Sequence, residues 1–105
     1  MRKIKKQIAT SYEKMLVKWL QNYANNYKCH VCVNSDYSPC VIAIWGNPTC
    51  RYDEEDGYWY WGCQGKGKFK WIDDEIPAKL KWARFGLMGE KGIIFNPKRK
   101  NETVV

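Results

Sequence analysis

Residues 58–72 read Tyr58-Trp59-Tyr60-Trp61-Gly62-Cys63-Gln64-Gly65-Lys66-Gly67-Lys68-Phe69-Lys70-Trp71-Ile72. The first four are bulky and aromatic, as strands prefer. Residues 68–72 alternate cation and ring, the pattern of a strand with one wet face. The six residues between, 62–67, hold three glycines and read as a connection. Two strands joined by a Gly-rich link place this part of the chain in an antiparallel sheet.

Working upstream, Asp53-Glu54-Glu55-Asp56-Gly57 is turn chemistry, because Asp hydrogen-bonds nearby backbone and Gly accepts positive φ. Residues 50–52 and 58–61 therefore form a hairpin about that loop. Cys40-Val41-Ile42-Ala43-Ile44-Trp45 is a compact apolar run, read as a central strand ended by Gly46-Asn47-Pro48. Residues 27–33 alternate and carry Val31 and Val33, giving a first strand. Residues 34–39 form the turn between these two.

Further upstream the period changes from 2 to 3.6. Ile4, Ile8, Tyr12, Met15, Leu16, Trp19, Leu20 and Tyr23 form one stripe, opposite Lys3, Gln7, Lys14, Lys18, Gln21 and Asn25. This is an amphipathic helix over 4–26, with Asn25-Asn26 as its stop. Downstream, residues 77–95 satisfy two patterns. Asp73-Asp74-Glu75-Ile76-Pro77 could open a helix, whereas the alternation around Leu80 and Trp82 favours a last hairpin turning at Gly89-Glu90-Lys91-Gly92. The expected fold is α+β: a long N-terminal amphipathic helix packed on an antiparallel sheet of four to six strands. Its stripe of Ile8, Met15, Trp19 and Tyr23 would cover a face bearing Val31, Ile42 and Ile44. Residues 1–97 make one domain and 98–105 a basic, flexible tail.

The chain has 105 residues and a formal net charge of +7. Residues 1–28 carry seven basic and one acidic side chain, residues 29–63 one and five, and residues 64–105 ten and five. Two basic ends around an acidic middle point to a polyanionic partner or to one face that docks on an acidic surface. No apolar run reaches the ~20 residues needed to span a bilayer, and the basic start lacks the apolar stretch of a signal peptide. The expectation is a cytoplasmic protein with no membrane partner.

Five cysteines, an odd number, argue against a disulfide framework in such a setting. Cys29-His30-Val31-Cys32 has half the spacing of a zinc site, and Cys50 and Cys63 are the candidates for the other half. On a strand, however, Cys29 and Cys32 point to opposite faces. Buried, inert thiols are the expected reading, with no metal and no cofactor. His30, the one histidine, has no thiol at a spacing that would activate it. The chain lacks a phosphate-binding Gly-rich loop that ends in Lys-Ser or Lys-Thr and a Gly-x-Ser-x-Gly elbow. None of its acidic residues is followed two positions later by Lys. No enzymatic role is expected.

The positive signal is cations interleaved with rings. Lys66, Lys68 and Lys70 alternate with Phe69 and Trp71, and Lys79, Lys81 and Arg84 surround Trp82. Cations neutralise phosphates and release counterions; rings give unpaired bases a surface to stack on. Six Trp and seven Tyr must also furnish a core, and lysines coat the wet side of many sheets. The expectation is a small non-enzymatic protein contacting nucleic acid or a nucleoprotein complex through Lys66, Lys68, Lys70, Trp71, Lys79, Lys81, Trp82 and Arg84. The alternative is a protein-directed inhibitor or adaptor, such as a phage or mobile-element protein that blocks a host nuclease or defence complex. It would dock on a host protein through Asp53, Glu54, Glu55 and Asp56.

Overall fold

The computed structural model describes residues 11–34, 39–87 and 93–98. Helix α1 spans Ser11–Tyr27 and buries Leu16, Leu20, Tyr23 and Ala24. The i, i+4 series 16, 20, 24 carries the packing. The inward stripe is therefore centred on leucine and alanine, one position round from Met15, which is exposed, and Trp19, which is half-buried. The expected Ile4 and Ile8 lie outside the described residues. The helix passes the expected stop at Asn25-Asn26 and ends where Lys28 takes a positive φ of 54°. The Cys29 N–H then donates to the Ala24 carbonyl at 3.1 Å. This six-to-one bond closes the helix end, with Cys29 and Ala24 both in the core.

Four antiparallel strands follow: β1 (His30–Asn34), β2 (Cys40–Asp53), β3 (Tyr58–Trp71) and β4 (Ile93–Phe95), in the spatial order β3-β2-β1-β4. The fold is α+β, as expected. The hairpin turn also forms where expected. The Asp53 carboxylate accepts the Glu55 and Asp56 N–H groups at 2.9 and 3.3 Å, and Gly57 adopts a φ of 74°.

Two expected breaks are absent. Gly46-Asn47-Pro48 does not end β2, and residues 62–67 are not a connection; each lies inside a 14-residue strand. What the glycines mark is a register shift. Trp45 pairs with Lys68 and Asn47 with Gln64, so residues 65–67 oppose Gly46 alone. Such a bulge bends the ribbon and needs glycine where backbones crowd. Pro48 is tolerated because β1 pairs with β2 only over residues 40–44, leaving no ladder donor required on that side beyond them.

The register settles which residues share a face. Val31 pairs with Ala43 and Cys32 with Ile42. Val31, Val33, Val41, Ala43 and Phe95 thus face α1 and form the main core with Leu16, Leu20 and Ile72. Ile42 and Ile44 were expected on that face. Alternation puts them on the other one, in a second cluster of Cys32, Ile42 and Ile44 packed by Trp61, Cys63 and Ile94. The far half of the β2–β3 hairpin leans over this second cluster. The Trp61 N–H donates to the buried Asn34 Oδ1 at 2.8 Å, joining β3 to the end of β1.

Residues 73–87 form no hairpin. A 3₁₀ turn (Asp73–Glu75) leads into two single-turn helices, α2 (Ala78–Lys81) and α3 (Arg84–Leu87). Tertiary contacts decide this otherwise ambiguous stretch. The Asp73 carboxylate accepts the Val41 N–H at 3.1 Å, and Leu80 and Ala83 enter the core against α1. The strand expected near 93–95 exists as β4, but it pairs with β1, Val31 opposite Phe95. The turn expected at residues 89–92 and the tail beyond Lys98 lie outside the described residues. Among the described residues, no helix is long and apolar enough to cross a membrane.

Candidate nucleic-acid interface

Strand β3 is one edge of the sheet, and all of residues 64–71 are exposed. Pairing beyond the bulge sets the side chains in two rows. Lys68 and Lys70 sit opposite Trp45 and Ala43, on the helix side; Phe69 and Trp71 sit opposite Ile44 and Ile42, on the other. The sequence places these cations and rings together, and the pleat separates them across the strand. Phe69 and Trp71 are 54% and 50% exposed beside the buried isoleucines of the second cluster. Lys66 is exposed in the bulge.

The lysine row has supports that sequence reading passed over. Lys68 Nζ lies 5.5 Å from the centre of the Trp45 ring, a cation–π distance. Trp45 is itself fixed by its Nε1–H, which donates to the Tyr27 carbonyl at 2.9 Å. Lys70 Nζ lies 2.9 Å from Glu75 Oε2, and the Tyr23 hydroxyl donates to the same oxygen at 3.5 Å. Burial and the neighbouring Glu75 push the Tyr23 hydroxyl up to about 12. Trp45 was read only as the end of a strand. Its signal, a Trp whose ring meets the cation paired with it on the neighbouring strand beside the bulge, exists only in three dimensions.

The second expected group, on 77–87, is arranged differently. Lys79 is exposed, and Lys81 Nζ stands 4.0 Å from Asp74 Oδ1. Trp82, 77% exposed, stacks on Phe85 with ring centres 5.7 Å apart. Arg84 is a structural tie. It donates to the Pro39 carbonyl at 2.7 Å and to the Lys81 carbonyl at 2.6 Å, and its Nε lies 3.7 Å from Asp73 Oδ1. A guanidinium so engaged holds α2 and α3 against the start of β2. The acidic loop is likewise built into its own turn: Asp53 accepts two backbone N–H groups, and Asp56 Oδ2 accepts the Tyr60 hydroxyl at 2.8 Å.

The cysteines divide between the two faces of the sheet, but the strand expected from residue 27 begins only at His30, and Cys29 takes its place from the closed end of α1. Cys29 lies in the helix-side core and Cys32 in the opposite cluster with Cys63, so Cys29, Cys32, Cys50 and Cys63 do not surround one point. Among the described residues, no group of three His, Cys, Asp or Glu side chains could hold a metal ion. Burial pushes the Cys29 thiol up to about 11; burial and then Cys50 push Cys32 up to about 12. Both are thiols at neutral pH, and the thiolate is the reactive form. His30 Nδ1 pairs with Asn96 Oδ1 at 2.8 Å.

Comparison with protein-family models, curated proteins and solved structures finds no match to this chain.

Proposed function

We propose that this chain is a non-enzymatic nucleic-acid-binding protein whose contact surface is the outer edge of β3. One observation carries the reading: on an edge strand, two half-exposed rings, Phe69 and Trp71, line one side, while Lys68 and Lys70 line the other. A phosphate backbone laid along this edge meets cations on one flank, and its bases meet rings on the other. Lys66 extends the cation row toward the bulge. The net charge of +7 adds a long-range attraction that speeds encounter with a polyanion.

The acidic loop supports the alternative less well, because its geometry answers to the turn it closes. The test is a titration of the protein with labelled DNA and RNA at several salt concentrations. The expected result is binding that weakens steeply as salt rises and is lost in a Lys68→Glu, Lys70→Glu double variant. Affinity weaker than roughly 10⁻⁴ M at physiological salt, below typical non-specific binding, would remove the proposal.

A further inference from the structure

Resting on that reading, we infer that the β3 edge takes an unpaired strand, with consecutive bases splayed onto Phe69 and Trp71, and not a duplex. The argument is spacing. Phe69 and Trp71 are two residues apart on one face of a strand, so their attachment points are separated by about 6.6 Å. Bases within one strand of a duplex rise by roughly 3.4 Å each, half that interval. Neighbouring paired bases cannot each meet one of these rings, whereas an extended, unstacked strand can present one base to each. In a duplex, moreover, the base faces are covered by their stacked neighbours. Half-exposed rings on a strand edge offer a flat surface that only an opened base can use.

The cation row fits the same ligand. Lys66, Lys68 and Lys70 lie along one stretch of edge, enough to meet about three phosphates of a single strand. For an unpaired strand, the logarithm of the binding constant then falls against that of salt with a slope of about −2. Lys70 contributes despite its ion pair with Glu75, because an exposed pair of this kind is weak and readily exchanged.

The experiment compares short oligothymidylate and oligouridylate with a blunt DNA duplex of the same length. Wild-type protein is set beside Phe69→Ala, Trp71→Ala and Lys68→Gln, Lys70→Gln double variants, and circular dichroism checks that each is folded. Binding of the single strands about tenfold tighter than the duplex is expected. Losing a ring should cost about tenfold per base, since stacking supplies ~1–3 kcal/mol for each. The ring variant should keep the wild-type salt slope and the lysine variant should flatten it. Duplex binding equal to single-strand binding, or single-strand binding untouched in the folded ring variant, overturns this inference and leaves nucleic-acid binding standing. Absence of binding to every probe overturns both.

Discussion

Gly46 and Gly67 face each other across the β2–β3 ribbon so closely that a methyl group placed on Gly46 would lie 2.9 Å from the Gly67 Cα. This is where the hairpin bends toward the second cluster. A Cβ on Gly67 would overlap Cys63 Sγ and stand 2.8 Å from the Trp45 carbonyl oxygen. Gly67→Ala should therefore destabilise the protein by about 1–3 kcal/mol, the usual cost of overpacking. Urea unfolding followed by tryptophan fluorescence measures it. Adding Cys63→Ala should recover only part of the loss, because the sulfur leaves and the carbonyl stays.

The packing of α1 on the sheet is tested by two truncations of opposite expectation. Leu20 is fully buried in the main core, and Trp82 is 77% exposed. Leu20→Ala should cost about 2–5 kcal/mol; Trp82→Ala should change stability by no more than about 0.5 kcal/mol. Thermal melts measure both, with Trp82→Ala as the exposed control, and a melting temperature unchanged in Leu20→Ala would overturn the packing of α1 on the sheet.

Asn34 holds the far half of the hairpin to β1 through one acceptor, its Oδ1 on the Trp61 N–H at 2.8 Å. Asn34→Ala removes the acceptor from a buried site and should cost about 1–3 kcal/mol. Amide hydrogen exchange should show faster loss at Trp61 than in the rest of β3. Unchanged protection there would mean that this bond does not hold the hairpin to β1.

The buried thiols give stability an alkaline limit. Cys29 and Cys32 have their pKa raised from 9.0 to about 11 and about 12, and Tyr23 from 10.0 to about 12. Above pH 9 the unfolded chain releases these protons first, so the native state holds more of them. Stability then falls with rising pH. It should be complete below about pH 9 and decline between 9 and 12. Urea midpoints across that range test the sign, and Cys32→Ala should flatten the decline whatever its effect at neutral pH.

The parts of the fold legible in the sequence are those decided locally. The turn at residues 53–57 was readable because an Asp and a Gly carry its chemistry on their own. The helix was readable to within a shift of its stripe: Met15 and Leu16 both belong to the apolar pattern but stand about 100° apart round the helix, and only contact with the sheet selects Leu16. The faces of Ile42 and Ile44 were not readable. They depend on the pairing of Val31 with Ala43, and a shift of one residue inverts every side chain. Gly46 and Gly67 announce a break in either strand alone, whereas together they make a bulge in a continuous ribbon. Leu80 and Trp82 satisfy both a strand and a helix, and the arbiter, Arg84 on the Pro39 carbonyl, lies 45 residues away in sequence. At the candidate site Lys66, Lys68, Lys70 and Trp71 were visible as composition. Their division into two rows awaited the register, as did the support that Trp45 lends to Lys68.

The spatial order of the strands also sets an order of assembly. Strands β2 and β3 are joined by a tight turn and zip from neighbouring residues. β4 meets β1 only through Val31 and Phe95 and the residues beside them, roughly sixty positions apart in the chain. Closing so long a loop is slow relative to closing the hairpin. During synthesis the ribbon of β2 and β3 can therefore form early, while the far edge of β1 stays unzipped. Among the described residues Phe95 is the last in sequence to join the main core, so the expectation is that this edge closes after the ribbon, which pulsed hydrogen exchange would show as later protection at residues 93–95 than in the hairpin.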